Sequence, residues 1–333
     1  MSKSTVLVTG CAGFIGSHLT ERLLQEGYSV IGIDNFDPFY DVAIKKENMK
    51  TALQHPDFTF LEADIRQSGF ADSINIPVEG VFHLAAKAGV LPSLQNPLAY
   101  TETNIIGTQN VLEWMQRKGV NKLVFASSSS IYGNAATIPF TEDEQNLIPI
   151  SPYAYTKKCG ELLTHLYHQL HRINVVNLRF FTVYGERQRP DLAIHKFTKQ
   201  ILNNQPVTMY GNGETSRDYT YIDDIIEGVM SSWRYLALHE TVYEIINLGN
   251  NAPVSLKNLI RELYNELGRE MNVIKESMKT GDVDRTYAGI SKASALLGYA
   301  PNTTFHDGLQ RFVEWFKTSQ NKGNPDSDQN QNA

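Results

Sequence analysis

Cysteine is scarce in this chain of 333 residues: Cys11 and Cys159 are the only two. Two thiols, one in a glycine-rich turn and one in a helical pattern, read as free side chains of a reducing compartment rather than as a disulfide. No apolar run approaches about 18 residues, so no membrane-spanning helix is expected. The first nine residues run straight into a strand pattern and lack the apolar stretch of a secretory signal, which points to a cytoplasmic protein. Positive charge is not in excess either. Thirty Lys and Arg against 36 Asp and Glu leave a net charge of −6, which gives no sign of a nucleic-acid surface. No metal site is expected. The hydrophobic share of 41% is ordinary for a globular protein, and the length suits one two-lobed unit or two domains.

What is present is alternation. Thr5 to Thr9 reads as a buried strand, followed by a glycine turn and a helix with Ile15, Leu19 and Leu23 on one face. Tyr28 to Ile33, Phe58 to Leu61, Gly80 to His83, Lys122 to Ala126 and Asn174 to Leu178 read as further strands. A long helix is expected over Leu98 to Lys118 and another after Ser151, with Ser151 as N-cap and Pro152 in the first turn. Apolar strands alternating with helices predict an α/β fold, a doubly wound parallel sheet of Rossmann type. The dinucleotide-binding domain is expected over 1–179 plus about 221–246, and a smaller interleaved lobe over about 180–220 and 247–317. Residues 318–333 are almost devoid of apolar side chains and read as a disordered tail.

Gly10, Gly13 and Gly16 fall where the first strand turns into the first helix. Such spacing permits a tight turn, a close approach of backbone to a pyrophosphate, and close packing of helix on strand. Asp34 ends the second strand, where a carboxylate can accept from both ribose hydroxyls and repel a 2′-phosphate; the expectation is NAD rather than NADP, with a helix or turn cap as the other reading. Asp64, after the third strand, faces adenine or caps a surface turn.

Tyr153 and Lys157 stand four residues apart and so share a helix face. A free tyrosine, with a pKa of about 10, is too weakly acidic to act as a base at neutral pH. A nearby ammonium and an oxidised nicotinamide would favour phenolate; a shift of three units needs about 4 kcal/mol. Tyr155 lies two positions on and therefore on a different face.

Together these segments resemble the extended short-chain dehydrogenase/reductase family, and within it the nucleotide-sugar 4-epimerases, most of all the UDP-glucuronate 4-epimerases. The resemblance covers about residues 4–317. It rests on Thr9-Gly-Cys-Ala-Gly-Phe-Ile-Gly16, His83-Leu-Ala-Ala86, Ala126-Ser-Ser-Ser-Ser-Ile-Tyr-Gly133, Tyr153-x-x-x-Lys157, Arg179-Phe-Phe-Thr-Val-Tyr-Gly185, Arg189-Pro-Asp191 and Ser216-Arg-Asp-Tyr219. It implies Ser128, Tyr153 and Lys157 as the catalytic set. It further implies an NAD site formed by Gly10, Gly13, Phe14, Ile15, Gly16, Asp34, Asn35, Asp64, Ile65, Leu84, Ala85, Ala86 and Lys87 with Tyr153 and Lys157. Ser93, Ser128, Ser129, Tyr153, Thr182, Arg189, Tyr210, Arg217 and Arg285 are implied as contacts for a UDP-sugar.

Under that resemblance Tyr153 takes the 4-OH proton through Ser128 and later returns it. Related dehydratases and decarboxylases carry a carboxylate beside the catalytic hydroxyl; Ser129 and Ser130 stand there in this chain, which favours epimerisation over elimination. Arg189, with Thr182, is implied to hold a C6 carboxylate, for which the guanidinium fork is suited; without the resemblance, Glu186 to Asp191 reads as a solvated charged loop. Arg217 is implied at the diphosphate and Tyr210 at uracil, although Tyr210 also reads as a core aromatic. Arg285 is a weaker phosphate candidate.

The chain departs from the glucuronate pattern at Leu91, where arginine is common, at Lys87, where glutamine is common, and at Gly289, where aspartate is usual. Lys87 offers compensating charge for Leu91. UDP-glucose and UDP-N-acetylhexosamines are the alternative substrates, and an NAD-binding regulator is the non-enzymatic alternative. Ile105, Thr108, Val111, Leu112 and Met115 form one apolar stripe, and Leu162, Leu163, Leu166 and Leu170 another. These stripes pack on the sheet, or pair across a two-fold axis as the resemblance implies for a homodimer. Neither nucleic acid nor membrane is expected as a partner.

Overall fold

The computed structural model describes residues 3–135, 137–144, 147–277 and 284–322. The chain opens with β1 (Thr5–Thr9), α1 (Phe14–Gln25), β2 (Ser29–Asp34), α2 (Val42–Leu53), β3 (Phe58–Glu62) and β4 (Gly80–His83). Two short helices, α3 (Val90–Gln95) and α4 (Pro97–Thr101), precede a π-helical turn over Glu102–Ile106, which leads into α5 (Gly107–Lys118). Then come β5 (Lys122–Ser128), α6 (Pro152–His171), β6 (Asn174–Phe180), β7 (Thr182–Tyr184), α7 (Ala193–Leu202), β8 (Val207–Tyr210), β9 (Ser216–Tyr221) and α8 (Ile222–Leu238). The remainder is β10 (Tyr243–Leu248), β11 (Pro253–Ser255), α9 (Leu256–Leu267), β12 (Val273–Glu276), α10 (Ser291–Leu297) and α11 (Phe305–Lys322).

Seven strands pair in parallel in the order β10-β6-β5-β4-β1-β2-β3. Strand alternation explains why their sequences are apolar almost throughout. Leu7, Val81, Leu123, Phe125 and Val175 face one layer, with Val111, Leu112, Trp114 and Met115 of α5. Val6, Val8, Phe82, Val124 and Val176 face the other, with Leu19 and Leu23 of α1 and Val229 and Trp233 of α8. Trp233 packs on Phe82 with ring centroids 5.1 Å apart, and a β-carbon at Gly80 would lie 2.5 Å from the Trp233 ring.

The order reverses at β1, whose two neighbours are β2 and β4. In such sheets the crevice beyond the carboxyl ends at this switch point is where ligands bind. Beside the main sheet stand a three-stranded sheet, β11-β9-β7, and the pair β12-β8. These come from the segments read as a smaller lobe, while α8 and β10 return to the main sheet.

Three expectations change. The long helix over 98–118 is broken by the π turn, because the apolar periodicity continues across it while the backbone gains a residue. Thr108, Val111, Leu112 and Met115 are buried on the sheet within one subunit, so that stripe is core. Finally, α11 extends to Lys322, anchored by buried Phe312, Val313 and Phe316, so the first residues of the expected tail are helical. Residues 323–333 lie outside the described residues. Among the described residues no helix is long and apolar enough to cross a membrane, and no cluster of three His, Cys, Asp or Glu side chains is placed to hold a metal.

Candidate active site

A cavity of about 480 Å³ opens at the carboxyl ends of the central strands. One end is the glycine turn. Gly10 has φ +75°, and a β-carbon there would lie 2.7 Å from the Ala85 nitrogen; at Gly16 it would lie 2.0 Å from the Gly10 oxygen. A larger residue at Gly10 collides with the segment after β4, and one at Gly16 forces α1 away from the turn. Gly13 caps α1 without any side-chain hydrogen bond, and the first turn of α1 has no acidic residue. Its amide groups therefore suit an anion such as a diphosphate.

Asp34 lies at the end of β2, buried. Its Oδ2 accepts from the Ala12 amide at 3.2 Å and its Oδ1 from the Phe36 amide at 2.8 Å. Lys45 of α2 approaches Oδ1 at 3.4 Å and sits over the Tyr40 ring. The sequence reading missed Lys45, since a lysine eleven residues downstream carries no local signal. Asp64 is held by Arg66 and Asn35. The hydrogen bonds from Arg66 are the largest cause of its pKa lying below the usual carboxylate range.

Across the cavity, β5 ends at Ser128 and passes into a 3-10 turn over Ser129–Tyr132. Ser128 Oγ accepts from the Ser130 amide at 3.2 Å and hydroxyl at 2.9 Å. Helix α6 starts as expected: Ser151 Oγ accepts from the Ala154 amide at 3.2 Å, with Pro152 in the first turn. Tyr153 and Lys157 both reach the cavity wall, whereas Tyr155 is 52% exposed on another face.

Burial raises the Tyr153 phenol above its ordinary pKa; a hydrogen bond with Ser128 and the charge of Arg189 pull it back. The Lys157 ammonium donates to the Ala126 carbonyl at 2.7 Å and lies over the Phe125 ring. Burial brings Lys157 itself down to about 8.

Below this pair lies a sealed polar network. Arg179 and Glu161 are each 1% exposed. Arg179 Nε and Nη2 donate to the two Glu161 oxygens at 2.8 and 2.9 Å, and Ser127 Oγ donates to Glu161 at 2.7 Å. Arg179 Nη1 donates to the Tyr132 hydroxyl at 3.0 Å, which donates in turn to Asn247 at 2.8 Å. Asn247 Nδ2 donates to the carbonyls of Phe140 and Gly289, two segments that meet beside the second lobe. Gly289 is required there: a β-carbon would lie 2.9 Å from the Phe140 oxygen. The π turn places Asn104 so that it brackets the Lys87 backbone, accepting from its amide at 2.8 Å and donating to its carbonyl at 2.9 Å, and donates to Thr156 of α6 at 3.0 Å.

At the mouth, Lys87 pairs with Asp37 of a neighbouring loop at 3.0 Å. Arg189 donates to Asp191 through Nε at 2.9 Å and Nη2 at 2.6 Å, and to the Ala88 carbonyl at 3.3 Å. Its guanidinium covers the Phe39 ring at 5.1 Å. Asp37, Phe39 and Tyr40 all line the cavity and were not anticipated.

The cavity wall includes Gly10, Gly13, Phe14, Ile15 and Gly16 from the turn, Asp34, Asn35, Asp64 and Ile65 from the strand ends, and Leu84, Ala85, Ala86 and Lys87 after β4. It also includes Ser128, Ser129, Tyr153, Lys157, Thr182, Arg189 and Arg217. Three expected residues are elsewhere. Ser93 is buried in α3, its hydroxyl donating to the Val90 carbonyl at 2.6 Å. Tyr210 lies in β8 opposite Glu276 of β12, off the cavity wall. Arg285 is exposed beside its bridge to Ser216. Leu91 is likewise exposed and off the wall.

The family model described as GDP-mannose 4,6 dehydratase matches residues 7–312. A UDP-glucuronate 4-epimerase of Thermodesulfobacterium geofontis is 42% identical, over 93% of this chain and 95% of that protein. Among solved structures, the UDP-glucuronic acid 4-epimerase of Bacillus cereus, in complex with UDP-glucuronic acid and NAD, superposes with a TM-score of 0.88 at 37% identity. That match covers 95% of this chain and 99% of the other. The UDP-glucose 4-epimerase of Thermotoga maritima, with UDP-glucose, superposes at 0.86 with 31% identity, again over 95% and 99%. With the matched span reaching from β1 into α11 and the glycine turn, Ser128, Tyr153 and Lys157 on one cavity wall, the chain belongs to the GDP-mannose 4,6-dehydratase family of extended short-chain dehydrogenase/reductases.

Proposed function

We propose that this protein is an NAD-dependent UDP-sugar 4-epimerase, with UDP-glucuronate and UDP-galacturonate as its substrate pair. The observation that carries this reading is the joint placement of Ser128, Tyr153 and Arg189 on one cavity wall that also holds the glycine turn. The open amides of α1, the glycine turn and Asp34 fit NAD, which when bound supplies reversible hydride exchange at the sugar C4. Ser128 bridges the 4-OH and the Tyr153 phenol. Tyr153 takes the hydroxyl proton and gives it back, acting as a reversible proton carrier. Lys157 binds ribose hydroxyls of the cofactor, and Arg217 meets the diphosphate.

Arg189 and Thr182 hold the C6 carboxylate. A 4-keto uronate is a β-keto acid, which loses carbon dioxide when its carboxylate stands perpendicular to the ketone plane; a fixed guanidinium opposes that orientation. With Ser129 and Ser130 following Ser128, the catalytic hydroxyl has no acidic sequence neighbour to drive elimination at C5. UDP-glucose and UDP-N-acetylhexosamines lack the carboxylate that Arg189 is suited to bind.

Exposed apolar side chains on α6, notably Leu162 at 58% and Leu170 at 65%, flank exposed Leu98 and Ile106. This supports a homodimer closed through α6 and the segment before α5. Light scattering of the wild type is expected to give a dimer mass, and a Leu166→Glu/Leu170→Glu variant a monomer; a monomeric wild type at all concentrations contradicts it.

Proton NMR with UDP-glucuronate, UDP-glucose and UDP-N-acetylglucosamine in parallel is expected to show UDP-galacturonate as the fastest-formed product. Arg189→Ala is expected to lower kcat/KM for UDP-glucuronate about 100-fold and to release some decarboxylated product, as loss of a charged, oriented contact does. An Arg189→Ala variant with unaltered rate and product purity contradicts the carboxylate assignment. In the pH profile, the working form of Lys157 is protonated, and that form is lost as pH rises through about 8. Activity is therefore expected to fall on the alkaline side with a midpoint near that value, approaching about tenfold per pH unit. A profile flat to pH 10 would remove the cationic role.

A further inference from the structure

The segment Glu186 to Asp191 carries two arginines, and the fold sends them in opposite directions. Arg189 faces the cavity. Arg187 turns to the cofactor helix, where its Nη2 donates to Glu21 Oε1 at 2.9 Å and Oε2 at 3.1 Å. Among the described residues its buried Nη1 has no hydrogen-bond partner, so the Glu21 carboxylate carries the compensation for that charge. Arg187 has φ 62°, a left-handed conformation that a β-carbon disfavours, so surrounding contacts must hold it.

Those contacts fasten the loop at successive residues. His18 Nε2 donates to the Glu186 carbonyl at 3.0 Å. The Glu186 carboxylate accepts from the Tyr221 hydroxyl at 2.8 and 2.7 Å. His195 Nδ1 donates to the Gln188 carbonyl at 2.8 Å, and Gln188 Nε2 donates to the Val183 carbonyl at 3.2 Å. Burial and the charge of Arg187 push the His18 pKa down to about 4, so its ring is neutral and serves as a donor at physiological pH.

Phe14, His18 and Glu21 are spaced by four and three residues and share one face of α1. Phe14 lines the cavity beside the glycine turn and packs edge-on against His18, with centroids 5.9 Å apart. One rigid helix thus carries the anion-binding turn at its N-terminus and, one and two turns further on, the fastenings of the loop that presents Arg189.

We propose that Glu21, acting through Arg187, is a positioning residue that fixes Arg189 and thereby sets the discrimination between acidic and neutral UDP-sugars. The proposal rests on the reading of Arg189 as the contact for the C6 carboxylate. Moving a charged fork by a fraction of an ångström weakens a carboxylate contact and leaves contacts to the nucleotide in place.

The test is calorimetric titration of the NAD-loaded protein with UDP-glucuronate and with UDP-glucose. Wild type and Arg189→Ala come first: if the wild type does not prefer UDP-glucuronate, or Arg189→Ala keeps the preference, the carboxylate reading itself fails. With that preference established, Glu21→Gln is expected to weaken UDP-glucuronate about tenfold and UDP-glucose less than about twofold, the signature of a misplaced rather than a missing contact. Arg187→Lys keeps a charge beside Glu21 and is expected to weaken UDP-glucuronate less than Glu21→Gln does. Arg187→Gly removes the ion pair while relieving the left-handed backbone, so it tests the same link if Glu21→Gln folds poorly. Equal weakening of both sugars, or no change in either, in whichever variant retains NAD and the wild-type circular dichroism overturns the proposal.

Discussion

A charged fork sealed inside the protein, Arg179 on Glu161, sets the register between β6 and α6. A buried ion pair of this kind adds little net stability compared with apolar residues of the same shape. Breaking it by removing one partner, however, costs about 3–5 kcal/mol, because the other charge is left uncompensated. That asymmetry makes the pair a constraint on geometry. Glu161 also accepts from Ser127, the residue before Ser128, and lies one helical turn beyond Lys157. The strand end and the helix can therefore slide past each other only by opening the network. Through Tyr132 and Asn247 the same network reaches the carbonyls of Phe140 and Gly289 and ties those two segments together.

Around the cavity the charges are held in pairs: Lys45 with Asp34, Lys87 with Asp37, Arg189 with Asp191. None of these pairs is fully exposed, and Lys45–Asp34 is buried, so removing one partner leaves the other charge poorly solvated. At a half-buried mouth they keep cations in place without leaving them uncompensated. Under the proposed reading, an anionic UDP-sugar exchanges partners with such pairs instead of meeting bare charge. Phe39, between Arg189 and Lys87, ties the loop after β2 to the same set, so cofactor side and substrate side share one mouth.

The sheet was legible because buried parallel strands are continuous apolar runs, and every strand of the first 180 residues lies within two residues of its expected ends. The glycine turn, Asp34, Tyr153 and Lys157 were legible because each sits at a strand end or at a helical spacing that the proposed chemistry requires, whereas Ser128 came from the family resemblance. The rest depends on distant parts of the chain. The π turn at Glu102–Ile106 hides inside an unbroken helical periodicity. Lys45, Asp37 and Phe39 lie on a helix and loop with no motif of their own. Tyr210 and Arg285 rested on the family resemblance; Tyr210 stands in β8 opposite Glu276, and Arg285 is exposed at a bridge to Ser216. The stripe along α5 illustrates a related limit: an apolar helix face reads the same whether it covers the sheet or a second subunit, and here it covers the sheet.

The central claim is that the Ser128–Tyr153 pair carries out reversible proton transfer while configuration at C4 inverts within one closed site. It is tested most directly with UDP-glucuronate deuterated at C4, followed by NMR and mass spectrometry in ordinary water. The expected result is UDP-galacturonate that keeps the deuterium at C4, with no label in solvent and no pentose product. Loss of the label to water, formation of a decarboxylated sugar as the main product, or absence of the C4 epimer would contradict it.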